Sequence, residues 1–179
     1  MTRSWNSGVI KRGQSILIHA ASGGVGSVAV QLAKWKGTTV FATSSGKNSA
    51  FVRSLEADEV IAYRSVRFQD VVKDVDVVFV TIGDDVQENS WSGLKQGGIL
   101  VSVVHPPDEK RAKEAGAVGK FVFIQPDAGI LRELACLIDS GIIRPIVSAE
   151  FSLQEISRAP KLSESGRARG KIVIHVGTR

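Results

Sequence analysis

One segment limits the fold more than any other: an apolar run, a glycine-rich turn and a helix, in immediate succession. Ser15-Ile16-Leu17-Ile18-His19-Ala20 is a near-continuous apolar run. That is the pattern of a strand covered on both faces, as in a parallel sheet. Ala20-Ala21-Ser22-Gly23-Gly24-Val25-Gly26 follows. Val25 to Lys36 then shows helical spacing, with Val28, Leu32 and Trp35 on one face and Gly37 as the stop. Such a turn admits close approach of a ligand to bare backbone. It also presents free N–H groups and the positive end of a helix dipole, which suits a pyrophosphate. Two registers of the dinucleotide pattern fit, Ala21-x-Gly23-x-x-Gly26 and Gly24-x-Gly26-x-x-Ala29.

The rest of the chain repeats the alternation. Strand-like runs fall at 39–43, 59–62, 76–80, 98–104 and 120–124, and residues 47–56 read as helix. Six strands with helical crossovers predict an α/β fold with a doubly wound six-stranded parallel sheet of the Rossmann kind, over residues 13–141. The tail, 142–179, reads differently. Residues 144–148 and 171–176 are strand-like, and between them Ser152-Leu153-Gln154-Glu155 forms a capping box with Phe151 and Ile156 as its staple. These strands have no slot in a six-stranded sheet, so the tail is expected to complete a further unit.

The end of the second strand selects the dinucleotide. A preference for NAD places Asp or Glu there to hold the ribose 2′-OH. This chain offers Thr43-Ser44-Ser45-Gly46-Lys47-Asn48 and no carboxylate until Glu56. Hydroxyls on Ser44 and Ser45 and the Lys47 ammonium suit a 2′-phosphate, with Tyr63 or Arg64 closing over it, so NADP(H) is expected.

Composition excludes other classes. The net charge is +5, but the basic residues are scattered apart from Arg158 to Lys171, and no aromatic residues interleave with them, so no nucleic-acid partner is expected. No apolar run reaches the ~18 residues of a membrane span and no secretory signal is visible, so a cytoplasmic location and no membrane partner are expected. The single cysteine, Cys136, lies in an apolar stretch and reads as core filling, with no disulfide or multi-cysteine metal site. His19, at the end of a buried strand, is expected to be held by backbone hydrogen bonds. His105 follows the fifth strand at the carboxyl edge and is the one acid–base candidate, although Pro106-Pro107 also reads as a plain turn.

The chain resembles the zinc-free, quinone oxidoreductase branch of the medium-chain dehydrogenases over nearly all its length. The resemblance is carried by residues 13–26, by Ala57-Asp58-Glu59-Val60-Ile61, by Leu94-Lys95-Gln96-Gly97-Gly98 and by residues 165–173. It implies hydride transfer from NADPH to a quinone, an enone or a related carbonyl, with no metal. It implies that Ser22, Gly23, Gly24 and Val25 face the pyrophosphate, and that Ser44, Ser45, Lys47 and Tyr63 surround the 2′-phosphate. Thr81, Ile82 and Gly83 would line the cofactor, and Val103, Val104, Phe123 and Ile124 would frame the nicotinamide. Lys171 would approach from the tail. Val80 stands where relatives often carry an acidic residue. The family's catalytic domain would precede Gly13, where residues 1–12 read as a remnant of a linker helix, so a non-catalytic NADP(H)-binding module is the alternative. Relatives pair through the edge of the sheet, so a homodimer through strand 121–124 is expected.

Overall fold

The computed structural model describes residues 10–83, 85–123 and 125–177. Its main sheet has six parallel strands: β1 (Ser15–Ile18), β2 (Thr39–Ser44), β3 (Glu59–Ala62), β4 (Val75–Val80), β5 (Leu94–Ser102) and β6 (Val118–Phe121). Their order is β3-β2-β1-β4-β5-β6, the doubly wound arrangement expected from the sequence. The crossover helices are α1 (Gly26–Trp35), α2 (Ser49–Ser54), α3 (Phe68–Val71), α4 (Asp85–Ser90) and α5 (Glu109–Glu114); α6 (Ala128–Asp139) leads away from the sheet.

Alternation along β1 sends its side chains into two cores. Ile16 and Ile18 join Val40, Val30 of α1 and Val52 of α2 on one face. Leu17 joins Val78, Leu100, Phe68 and Trp91 on the other. This two-sided burial is what makes the strand sequences continuously apolar. At the amino ends of the strands, Asp76 accepts from the Ser15 amide at 2.8 Å and from Gln14 Nε2 at 3.0 Å, and pairs with Lys95. Burial disfavours its charge, but the hydrogen bonds from Lys95 and Ser15 outweigh this and lower its pKa to about 2.

Several sequence expectations need correction. The buried residues of α1 are Gly26, Ser27, Val30, Gln31 and Ala33, so the face shared by Val28, Leu32 and Trp35 is the outer one, with Trp35 43% exposed. The helix approaches β1 most closely at Gly26, where a Cβ would stand 2.3 Å from the Ala20 carbonyl oxygen. The first strand ends at Ile18 because Ala20 takes a left-handed conformation, φ +49°, that opens the turn. The fifth strand starts earlier than expected, at Leu94, and ends at Ser102; it continues past Gly97 (φ +74°) through a register shift against β4. The sixth strand ends at Phe121, which leaves Phe123 beyond the sheet and 79% exposed; Ile124 lies outside the described residues. Cys136 is exposed on α6, whose only buried residue is Leu137, so it fills no core. Of the segment read as a linker remnant, residues 1–9 lie outside the described residues, and Ile10 packs against the core.

The tail forms its own two-stranded parallel sheet, β7 (Val147–Ser152) with β8 (Lys171–His175), joined through α7 (Arg158–Glu164). The first of these strands lies later than the 144–148 expected. The capping box is present, with the Ser152 amide donating to Glu155 Oε2 at 3.4 Å. Of its staple, Phe151 is buried and Ile156 is exposed. Among the described residues no helix is long and apolar enough to cross a membrane.

Candidate cofactor site

The order β3-β2-β1-β4 gathers four loops at the carboxyl edge of the sheet, where open α/β sheets bind ligands. Between them lies a cleft of about 510 Å³. The turn after β1 contributes Ser22 and Gly23, the end of β2 contributes Thr43, Ser44 and Ser45, and the segment after β3 contributes Tyr63, Arg67 and Phe68. Ile82, after β4, closes the far side. Among the described residues, none that lines this cleft is acidic.

The glycine turn has a defined division of labour. A Cβ on Gly26 would stand 2.3 Å from the Ala20 carbonyl oxygen and 2.7 Å from Ala21 Cα, so this glycine is the one that lets α1 pack onto β1. That settles the register as Ala21-x-Gly23-x-x-Gly26. A Cβ on Gly24 would meet the Lys171 side chain, 2.8 Å from Nζ, so the ammonium of the tail strand lies against the turn. The N-cap of α1, Val25, provides no capping side chain, and its first turn holds no acidic residue. By contrast, α5 and α6 are capped by Asp108 and Asp127. The Ser27 amide is taken by the Gly23 carbonyl at 3.0 Å, but the start of α1 keeps its positive dipole beside a lysine, an arrangement that attracts an anion.

His19 forms part of the cleft wall. Its ring is held by side chains rather than by the backbone: Nδ1 lies 3.2 Å from Thr43 Oγ1 and Nε2 lies 3.0 Å from Ser90 Oγ. The Ser90 hydroxyl donates to the Val86 carbonyl at 2.6 Å, so it accepts from Nε2–H, and the ring is the Nε2–H tautomer. Burial pushes the His19 pKa from 6.5 down to about 4. Phe68 meets the ring edge-on, centroids 4.7 Å apart.

The other expected site residues divide into three groups. Ser44 is buried, with its hydroxyl donated to the Ser45 carbonyl at 3.1 Å, while Lys47 is exposed and not among the residues lining the cleft, and Arg64 stacks on Tyr63 at 6.0 Å. Gly24, Val25 and Lys171 border a second depression of about 420 Å³, on the tail side of the glycine turn. Thr81 donates to the His19 carbonyl at 3.0 Å, and Gly83, Val103 and Val104 cluster beyond β4 and β5. There a Cβ on Gly83 would come within 3.2 Å of His105, whose Nδ1 lies 3.0 Å from Gln87 Nε2. The sequence reading missed Arg67, Asn48 and Arg169. No local spacing marks them, because they meet only through the strand order.

A doubly wound sheet with a glycine turn feeding an uncapped helix is the arrangement of dinucleotide-binding domains. The comparisons give the family. Residues 55–174 match the family model described as zinc-binding dehydrogenase. The 2-methylene-furan-3-one reductase of Solanum lycopersicum is 34% identical over 171 residues, covering 91% of this chain and 40% of that protein. The chloroplastic NADPH-dependent alkenal/one oxidoreductase of Arabidopsis thaliana is 33% identical, covering 91% of this chain and 41% of that protein. The quinone oxidoreductase from Coxiella burnetii superposes with a TM-score of 0.89 at 35% identity, covering 98% of this chain and 56% of that one. The chain belongs to the zinc-binding dehydrogenases, the medium-chain dehydrogenase/reductase family, as a nucleotide-binding domain of the quinone oxidoreductase type. It spans about 40% of the length of the two curated relatives. The family is described by its zinc, yet among the described residues no group of three or more His, Cys, Asp or Glu is placed to hold a metal ion. The residues present do not fit that group.

Proposed function

We propose that this chain holds NADP(H) for a zinc-independent reductase acting on a conjugated enone or a quinone. The observation that carries the cofactor reading is the cleft itself, in which hydroxyls and Arg67 stand where an NAD site would place a carboxylate. Ser44, Ser45, Lys47, Tyr63 and Arg67 would surround the 2′-phosphate. Ser22, Gly23, Gly24, Val25 and Lys171 would hold the pyrophosphate, and Thr81, Ile82, Gly83 and Val103 the inner ribose and nicotinamide. When bound, a reduced nicotinamide supplies a hydride from C4 to the β-carbon of an enone or to a quinone, the matching proton coming from solvent. The residues of this chain bind and orient, and the substrate class rests on the names of its relatives.

For the 179-residue chain alone, a second reading has its own support. The nicotinamide side is open to water, with Val104 43% and Phe123 79% exposed, whereas hydride transfer needs water excluded. Binding of NADP(H) without turnover is then the expected behaviour of the chain by itself.

Thermal unfolding with NADPH and with NADH at equal concentration tests the cofactor reading. Ligand at about 100 times its dissociation constant adds roughly 2.7 kcal/mol, a rise of about 5–10 °C for a domain of this size. A rise with NADPH and little with NADH is expected. Equal rises would remove the 2′-phosphate assignment.

The edge position of β6, with Val118, Phe121 and Val122 all more than 40% exposed, favours pairing of two copies through a continuous sheet. Light scattering should give twice the 19.2 kDa chain mass, and Phe121→Lys should halve it. A monomeric mass for the unmodified chain at high concentration would refute the pairing.

A further inference from the structure

The tail does more than lie beside the glycine turn. The Gly170 amide donates to the Ser22 carbonyl at 2.9 Å, and Gly23 and Gly170 form an isolated parallel bridge. Next to this bridge runs a chain of side-chain hydrogen bonds that backbone pairing does not require. Arg169 Nε donates to Asn48 Oδ1 at 2.8 Å, and Asn48 Nδ2 donates to Ser22 Oγ at 3.1 Å. Asn48 is 6% exposed, and both Asn48 and Ser22 line the cleft.

The direction of this chain follows from the inventory of donors. A guanidinium only donates, so the Asn48 oxygen must face Arg169 and its NH₂ must face Ser22. Ser22 Oγ therefore receives a hydrogen bond, and its single O–H is left as a donor on the cleft wall. A hydroxyl that accepts from a charge-assisted chain is strengthened as a donor in turn. Arg169 is otherwise engaged within the protein, with Nη2 3.3 Å from the Lys47 carbonyl and its guanidinium 5.5 Å from the Phe51 ring centre. It acts through Asn48.

We propose that Arg169 and Asn48 form a positioning relay from the tail that fixes Ser22 as a hydrogen-bond donor to the pyrophosphate of the bound dinucleotide. The inference rests on the nucleotide-binding reading and goes beyond it. It makes the tail part of the phosphate site although Arg169 itself does not line the cleft.

The test uses the full chain and two probes, NADPH and adenosine 2′-monophosphate, which has the 2′-phosphate and no pyrophosphate. Dissociation constants are measured for the unmodified chain, Arg169→Lys, Ser22→Ala and the double variant. Arg169→Lys keeps the charge and loses the Nε donor. Each single variant should weaken NADPH about tenfold, and the double should be no weaker than Ser22→Ala alone. Affinity for adenosine 2′-monophosphate should stay within about twofold. Additive losses, an equal loss for both probes, or no change in Arg169→Lys would overturn the relay. Additive or equal losses would reduce Arg169 to a brace for the tail. Should Arg169→Lys fail to fold, Asn48→Leu interrupts the same relay at its middle and carries the same expectation. If the unmodified chain binds neither probe, the nucleotide reading itself fails, a result distinct from any of these.

Discussion

Gly26→Ala should cost at least about 3 kcal/mol of stability, an extreme value for adding one methyl group. The new Cβ would fall 2.3 Å from the Ala20 carbonyl oxygen and 2.9 Å from its carbon, both backbone atoms between β1 and the turn. A flexible side chain could swing away, but these atoms cannot move without lifting α1 off the sheet. Lifting α1 would open the core around Val30 and Ala33 and displace the start of the helix from the phosphate site. Urea unfolding of the variant should show the loss, and NADPH binding should fall with it. Gly46→Ala is the matched control. Its Cβ would meet nothing closer than Ala62 Cβ at 3.9 Å, and the change should stay within about 0.5 kcal/mol. Similar stabilities for the two variants would refute the packing role assigned to Gly26.

Acidification should destabilise the protein by about 3 kcal/mol between pH 6.5 and 4 through His19 alone. The sign follows from where the proton goes. The folded state holds the ring neutral down to about pH 4, whereas the unfolded chain takes up a proton near 6.5. The unfolded state therefore binds more protons across that window, and stability falls as pH falls. Below about pH 4 both states are protonated and this contribution is fully lost. Asp76 adds a separate loss lower down, between 3.8 and about 2, once its contacts with Lys95 and Ser15 no longer hold a charge. Denaturant midpoints measured at pH 7, 6, 5 and 4.5 should fall for the unmodified chain, with a flatter profile for His19→Gln. Parallel profiles would show that another group drives the loss. Because His19 stands in the cleft wall, the same acid step should also weaken cofactor binding.

The two-sided core and the glycine turn were legible because they are written locally. β-branched runs that tolerate burial on both faces can only be interior parallel strands, and Gly23, Gly24 and Gly26 stand at the one junction where bare backbone is needed. The inner face of α1 was not legible, because helical spacing groups Val28, Leu32 and Trp35 without saying which face is covered. The close approach at Gly26 turns Ser27, Val30 and Ala33 inward, a face that hydrophobicity alone does not single out. Cys136 was misread for a related reason, since an apolar stretch says nothing about whether a partner surface covers it. The ring of His19 was assigned to the backbone because Thr43 and Ser90 reach it from other elements. Arg67, Asn48 and Arg169 were invisible for the same reason. The meeting of Asn48 with Arg169, and the place of Arg67 in the cleft wall, depend on β2 lying between β1 and β3 and on the tail crossing the turn, which is a property of topology.

That crossing also has a kinetic side. Arg169 and Asn48 are 121 positions apart in sequence. Contacts of such separation form slowly, because a long loop must close before they return any free energy. The central strands and α1 can assemble from much nearer neighbours. The phosphate site is therefore finished in the last stage of folding, and a chain whose sheet is already in place stays a poor ligand trap until the tail arrives. A dinucleotide present during refolding would speed or secure that last stage and leave the earlier ones untouched.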